Sequence, residues 1–593
     1  MTTPQITLFA IFGAVMILMI WGKWRHDLIA FAGLMTGVLT GVVPAGEAFS
    51  GFGHPATMVV ALVLVASAGL VRSGAVSLLT KFLSRPNWPV TLHLAVIGGV
   101  GTVLSGFMNN IAALAILMPT DMQVARKAGR AAALTLMPLA FTTILGGMLT
   151  MIGTPPNLLV SGFREDVIGE PFRMFDFLPV GGAVAAAGLI FVALIGWRLI
   201  PSRATETPAA DAEAKVRDYM AELVVPEGSS AIGKMVAELD SNAEKADVAI
   251  LAVRRGDMRL SGLTRAITLQ QGDSLLVEAA PAALDEFRSD LRLAFPDGHG
   301  DSIPRAGGEG QSLVECVVPE NARVVGHTAR SLRLSSQFNT VLMGIQRRGR
   351  TIRQNLRQVR IEAGDILLLL VPEDRDEEII ADLGCLPLDG AWLTVTKENR
   401  MWLALGLFLV AIGATSMGWV TMPIALGCVT VCYVLFKILS LDEIYTHIDW
   451  PVIVLLGAMI PLGLALDTTG GSALLASGLA TITQGYPAWV ALVLLMIATM
   501  MLSDVLNNNA TTILAAPVGI RLAEQLNVNP DAFLMGVAVS ASCAFLTPIG
   551  HQNNTLILGP GGYRFGDYWR MGLPLEVLVM AVSVPMLLIV WPL

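Results

Sequence analysis

Apolar runs of the length a bilayer demands, about 20 residues, recur along the chain at 5–22, 27–43, 55–74, 132–152 and 177–200. They return at 401–415, 419–437, 451–468, 531–547 and 573–592. Each predicts a membrane-crossing helix. Two further runs, 89–118 and 487–520, are apolar at both ends but polar near the middle. Between the two sets, 201–400 shows short alternating strands and Gly-Asp turns instead. The order is therefore membrane, soluble, membrane.

The two membrane halves, 1–200 and 400–593, resemble each other. Ser105-Gly-Phe-Met-Asn109-Asn110 leads to Pro119, and Ser503-Asp-Val-Leu-Asn507-Asn508 leads to Pro517. In both, the Ser precedes the Pro by 14 residues and the second Asn precedes it by nine. Gly153-Thr-Pro-Pro-Asn157 closes the first half, and Thr547-Pro-Ile-Gly550 answers it in the second. Broken hydrophobic segments at matching places in an inverted repeat are the signature of a secondary transporter. The predicted fold is a polytopic α-helical membrane protein. It is an inverted repeat with re-entrant hairpins at about 89–118 and 487–520, plus an insert of two α+β modules.

The insert repeats at an offset of 92–93 residues. Leu223-Val-Val-Pro-Glu-Gly228 matches Cys316-Val-Val-Pro-Glu-Asn321, and Gln271-Gly-Asp-Ser-Leu-Leu-Val277 matches Ala363-Gly-Asp-Ile-Leu-Leu-Leu369. The expected modules are 212–296 and 308–390, joined by a Gly/Pro/Asp-rich linker from Pro296 to Gly310. Neither has a GxGxxG after a strand, which argues against a dinucleotide fold.

Composition sharpens this division. Of 593 residues, 54% are hydrophobic and 15% charged, and the mean hydropathy is +0.64. The stretch 201–400 holds 55 of the 86 charges. A disordered chain or a wholly soluble enzyme is excluded. The net charge of −8 argues against a nucleic-acid partner. Five cysteines form no CxxC pair, so neither a zinc site nor a disulfide framework is implied. With the N-terminus outside, 12 basic residues of the membrane halves fall inside, among them Lys81 and Arg85, against three outside. With 89–118 and 487–520 as re-entrant hairpins, the positive-inside rule then makes the insert cytoplasmic, and the expected location is the cell's inner (plasma) membrane.

A membrane segment broken at Asn109-Asn110 is tolerable only where the tip is buried in protein or lines a cavity. Such a break exposes helix N–H groups that suit an anion. It also exposes carbonyls that, with Asn and Ser oxygens, suit Na⁺. Asparagines also join helices in membranes, but two pairs at matching repeat positions favour a site. Gly153–Asn157 reads as an unwound segment, since two prolines remove donors. Asp504, an acid in an apolar run, is a candidate for coupling through a cation or a proton, or for an ion pair. His551 is the residue type that titrates near neutral pH, or else it hydrogen-bonds within its loop. Glu576 and Asp467 read as wetted helix-end acids. Arg254-Arg255, Arg347-Arg348, Arg350 and Arg353 read as solvated faces, with binding of an anionic regulator as the alternative. No nucleophile set, metal pattern or Walker motif occurs, so an enzyme is not expected.

The hairpin signatures at 105–119 and 503–517, with Gly153–Asn157, Thr547–Gly550 and Gly559-Pro-Gly-Gly-Tyr-Arg-Phe-Gly-Asp567, resemble the divalent anion:sodium symporter family of the ion transporter superfamily. The likeness is to its branch with two inserted TrkA C-terminal-type (RCK-C) domains, described in bacteria and algae as sulfate permease-like. This resemblance implies a homodimer in the lipid bilayer and an elevator mechanism driven by Na⁺. Matched residue by residue, Ser105, Asn110 and Gly153 would serve one Na⁺ site. Ser503, Asn508 and Thr547 would serve the other, and Asn109, Asn110, Asn507, Asn508, Thr547 and Pro548 would face the anion. The family's tips carry Ser-Asn-Thr. Here Ile111 removes a hydroxyl and the asparagines fill more volume, which favours compact sulfate over a C4 dicarboxylate. The RCK-C likeness implies a small regulatory ligand or a role in dimerisation. The other readings are a dicarboxylate symporter, a cation/proton antiporter or oxyanion exporter of the same superfamily, the last two supported by Asp504, and a membrane sensor.

Overall fold

The structure is a computed structural model. It describes all residues except 22, 75–87, 202–219, 247, 256–257, 261–266, 279–286, 295–310, 320–321, 335–337, 339, 348–349, 353–355, 357, 373–374 and 389–397. Lys81, Arg85, Arg348, Arg353 and the 296–310 linker lie outside the described residues. The chain forms two compact units, Met1–Thr205 with Leu388–Leu593, and Glu206–Pro387.

The first part of the membrane unit holds α1 (Thr3–Trp21), α2 (His26–Leu39), α3 (Pro55–Arg72), α4 (Val90–Ser105), α5 (Asn110–Lys127), α6 (Ala133–Gly146), α7 (Pro155–Ile168) and α8 (Leu178–Leu194). Among the described residues, Thr3–Trp21, Ala45–Arg72, Trp450–Thr468 and Phe565–Val590 are long and apolar enough to cross a membrane. The expected break in 89–118 falls between α4 and α5, which pack on each other. Asn109 ends the break as a helix cap: its Oδ1 accepts from Ile111 N at 3.0 Å. The run 132–152 stops being helical at Gly146, and residues 147–154 are irregular. Pro155 and Pro156 open α7, where a missing N–H costs nothing. The sequence reading placed the unwinding at these prolines; it lies just before them.

The insert contributes β1 (Met220–Val224), α9 (Asp240–Ala246), β2 (Ala249–Arg255), β3 (Met258–Leu260), β4 (Ser274–Glu278), β5 (Gln311–Val317), β6 (Val341–Arg347), β7 (Arg350–Ile352), β8 (Ile366–Pro372), α10 (Asp376–Leu383) and β9 (Leu386–Pro387). Two sheets form, ordered β1-β4-β2-β3 and β7-β6-β8-β5-β9, and every described pairing is antiparallel. This excludes a parallel dinucleotide crossover within the described strands. The repeat extends to detail. Arg255 Nε lies 2.7 Å from Asp273 Oδ1, and Arg347 Nε lies 2.8 Å from Asp365 Oδ1. These two arginines, expected as solvated faces, instead anchor the Gly-Asp turns. Burial pushes the Asp273 carboxyl up, but hydrogen bonds from Arg255 and the Gln270 amide outweigh it and hold the group below the usual carboxylate range.

The second membrane half holds α11 (Glu398–Ser416), α12 (Met422–Leu435), α13 (Leu441–His447), α14 (Trp450–Thr468), α15 (Gly471–Ile482), α16 (Ala488–Ser503), α17 (Asn508–Leu526), α18 (Pro530–Ser542), α19 (Gln552–Leu558) and α20 (Tyr568–Val590). Here 487–520 breaks between α16 and α17, and residues 543–551 are irregular after α18.

Two glycines fix how the unwound segments lie. A Cβ on Gly181 of α8 would overlap Met148 O, and one on Gly572 of α20 would overlap Phe545 O. Each outer helix thus rests directly on unwound backbone. Gly181→Ala and Gly572→Ala will each destabilise the full chain by about 1–3 kcal/mol through overpacking, read as a lower thermal midpoint in detergent. Gly13→Ala is the control, since nothing lies within 4 Å of its Cβ position.

Candidate functional site

The site is assembled from four irregular pieces, two helix breaks and two unwound segments. In the first half, Ser105 Oγ donates to Asn110 Oδ1, and Thr150 Oγ1 donates to the Gly106 carbonyl. Asn157 Nδ2 reaches the Thr150 carbonyl at 2.8 Å and the Gly147 carbonyl at 3.2 Å. Gly147 lies so close to Asn110 that a Cβ there would sit 2.7 Å from Oδ1, and Gly153 packs on Gly147. The structure therefore brings Ser105, Asn110 and Gly153 into one cluster.

The second half repeats each contact. Ser503 and Asn508 are 2.9 Å apart, and Ser503 Oγ donates to the Ala541 carbonyl at 2.5 Å. With its nitrogen turned towards these acceptors, the Asn508 amide donates to Gly550 O and Ala541 O, both at 3.2 Å. Thr547 Oγ1 donates to the Asp504 carbonyl at 2.6 Å and accepts from Gly550 N at 3.0 Å. Asn554 Nδ2 reaches Ala544 O at 2.8 Å and Thr547 O at 3.0 Å. Asn507 Oδ1 caps its arm by accepting from Asn509 N at 2.9 Å. Hence Thr547 corresponds to Thr150, Gly550 to Gly153 and Asn554 to Asn157. The sequence comparison had set Gly153–Asn157 against Thr547–Gly550 and missed Thr150. The shared Thr-x-x-Gly spacing was the available signal.

The two clusters meet. Asn553 Nδ2 donates to the Asn110 carbonyl at 3.2 Å and to Thr143 Oγ1 at 2.9 Å. Asn110 Nδ2 faces His551 Nε2 at 3.4 Å, and His551 Nδ1 accepts from Asn553 N at 3.1 Å. His551 is thus placed at the junction of the halves. Phe141 and Phe545 also pack on each other across the halves, centroids 4.8 Å apart. Asn109 and Asn507 are partly exposed helix caps. Pro548 is buried, and its carbonyl accepts from Thr555 Oγ1 at 2.6 Å. The Oδ1 atoms of Asn553 and Asn554, both residues 0% exposed, receive no donor, and neither does Thr511 Oγ1. Unpaired buried carbonyl-type oxygens are what a desolvated hard cation needs. Sequence reasoning singles out none of Asn553, Asn554 and Thr511.

The acids divide. Asp467 is bound by Arg521, with Oδ2 2.6 Å from Nη2, and remains partly exposed. Glu576 is not the wetted helix-end acid expected. It is 6% exposed, inside α20, and its carboxyl interacts with that of Asp504, which is 3% exposed. Asp504 Oδ1 accepts from Leu546 N at 2.9 Å. Asp504 Oδ2 and Glu576 Oε1 receive no protein donor. The first half has Gly106 and Leu149 where the second has Asp504 and Leu546, so this acid pair belongs to one half alone.

The citrate transporter family matches residues 16–518 and 488–593. An uncharacterised transporter of Synechocystis sp. is 31% identical over 97% of this chain and 95% of its own. Sodium/sulfate cotransporter 2 of Chlamydomonas reinhardtii is 20% identical over 91% of this chain and 84% of its own. The solved YdaH transporter of Alcanivorax borkumensis aligns with 93% of this chain and 87% of its own at 12% identity and a TM-score of 0.42.

Proposed function

We propose that this chain, which belongs to the citrate transporter family, carries a divalent anion across the membrane together with Na⁺, and that the anion is sulfate. That the protein is an integral membrane transporter and not an enzyme follows from the family itself. The more specific reading is supported above all by the paired tips. Two capped helix breaks, each backed by an unwound segment, converge through Asn110, His551 and Asn553. Ser105, Asn110 and Gly153 form one Na⁺ site in this reading, and Ser503, Asn508 and Thr547 the other. The anion sits between the amides of Asn109, Asn110, Asn507 and Asn508, with Thr547 and Pro548 behind it. Relatives named as sodium/sulfate cotransporters that align over nine-tenths of the chain support Na⁺ and sulfate together. We extend the reading to an elevator mechanism in a homodimer, with the N-terminus outside. The insert is cytoplasmic, its modules at 212–296 and 308–390 are RCK-C-like, and they regulate or dimerise.

The test is uptake of radiolabelled sulfate into proteoliposomes under an inward Na⁺ gradient, with citrate and succinate as competitors. Uptake that needs Na⁺ and resists both carboxylates is expected. Inhibition by succinate or citrate would move the substrate to di- or tricarboxylates. A second reading, coupling by protons, is favoured by the Asp504–Glu576 pair, because two neighbouring buried carboxyls, each with an oxygen that receives no donor, can hold a proton or a cation between them. Sulfate uptake driven by a pH gradient without Na⁺ would select it.

A further inference from the structure

We infer that His93, Asp121 and Thr135 form a proton-binding site inside the first membrane half, apart from the tip clusters. The three side chains come from α4, α5 and α6, and are 2%, 0% and 1% exposed. His93 Nε2 lies 2.7 Å from Asp121 Oδ1, and Thr135 Oγ1 donates to Asp121 Oδ2 at 2.6 Å. Both carboxylate oxygens therefore accept, which assigns the ring proton to Nε2. His93 Nδ1 is buried without a partner. It is an open position for one proton in a ring whose tautomer is already set.

The charge balance agrees. With Nδ1 bare, the triad carries one negative charge in apolar surroundings. One added proton gives an imidazolium–carboxylate pair of no net charge. The neighbouring elements leave that role to His93. Helices α6 and α8 carry no ionisable residue, and α4 carries only His93. On α5, Arg126 and Lys127 follow Asp121 by five and six residues, and Arg198 lies on the short helix Gly196–Leu199 packed against α6. The Arg130 guanidinium is held by the Trp88 carbonyl at 2.5 Å. The Tyr563 hydroxyl, bonded to Met137 N and the Ala133 carbonyl, is within electrostatic reach of Asp121. Among the described residues, His93 is the basic side chain in hydrogen-bond reach of the Asp121 carboxylate.

The second half shows that the fold does not require this triad. At the repeat spacing that relates Ser105 to Ser503, the counterparts are Ala491, Gly519 and Phe533. There a Cβ on Gly519 would meet Leu495 Cδ2 at 3.2 Å and Phe533 Cβ at 3.6 Å. The same helix crossing is thus made from apolar contacts alone. A polar triad that the architecture can omit, with one nitrogen left open, points to proton binding.

Potentiometric titration of the purified full chain in detergent, with neither Na⁺ nor anion present, tests this directly. The unmodified protein should take up one proton more per chain than His93→Gln and than Asp121→Asn. Where either variant fails to fold, the combination His93→Ala, Asp121→Gly and Thr135→Phe, which installs the second half's apolar crossing, carries the comparison. Folded variants with an unchanged proton count would overturn the inference and leave the triad a structural clamp. Because no transport is read, a negative sulfate assay and a negative titration refute different statements.

Discussion

Replacing Asn110 by alanine will lower Na⁺-driven sulfate uptake by roughly a hundredfold while the protein stays folded. The side chain joins Ser105 of its own break to His551 of the other half. Removing it deletes two buried polar contacts and leaves the Ser105 hydroxyl and the His551 ring short of a partner. Losses of this kind cost about 1–3 kcal/mol each, and about 2.7 kcal/mol is a hundredfold. Asn508→Ala, its counterpart, will fall by a similar factor. Asn109→Ala will lose about tenfold, because it removes a helix cap worth about 1 kcal/mol and one of the four anion-facing amides without breaking a contact between the halves. Initial uptake rates against Na⁺ concentration, on protein of matched thermal midpoint, check all three. If Asn110→Ala moves sulfate at the unmodified rate, the junction between the halves is not the transport site.

The second large effect separates Asp504→Leu from Asp504→Asn. Asp504 Oδ1 accepts from the Leu546 amide, and the Phe545 amide lies against both Asp504 and Glu576. The acids therefore serve backbone N–H groups of an unwound segment that has no water to turn to. Leucine leaves that amide without its acceptor and Glu576 without a polar neighbour, at a cost of about 1–3 kcal/mol for each, and the full chain will be recovered mainly as aggregate by size-exclusion chromatography. Asparagine keeps an accepting oxygen in the same place. That variant will fold and retain uptake within about tenfold of the unmodified protein, the loss of one ordinary hydrogen bond's worth. A folded Asp504→Asn protein with no uptake at all would instead make the Asp504 charge the coupling group, and the proton-coupled reading would replace the Na⁺ one.

The amino-acid sequence by itself determined where a helical unit is interrupted by a sheet-containing insert, where two of its apolar segments break, and which spacings recur within each part. These are local properties. An asparagine after a short polar gap caps the next helix, a proline pair opens one, and a Gly-Asp turn joins two strands, whatever the rest of the chain does. That is why the breaks at Asn109 and Asn507 stand where they were expected. The tertiary structure decided which side chains meet across the fold. Glu576 looked like a helix-end acid until α20 packed beside Asp504. His93 and Asp121 carry no local signal, because each stands alone in an apolar stretch of its helix, and only the crossing of α4 on α5 joins them. Thr150 is the counterpart of Thr547 because both hydroxyls bond equivalent carbonyls, those of Gly106 and Asp504. Such pairings depend on helix packing between residues far apart in the chain, and the burial that gives a carboxyl, an amide or an imidazole its chemistry exists only once those helices have come together.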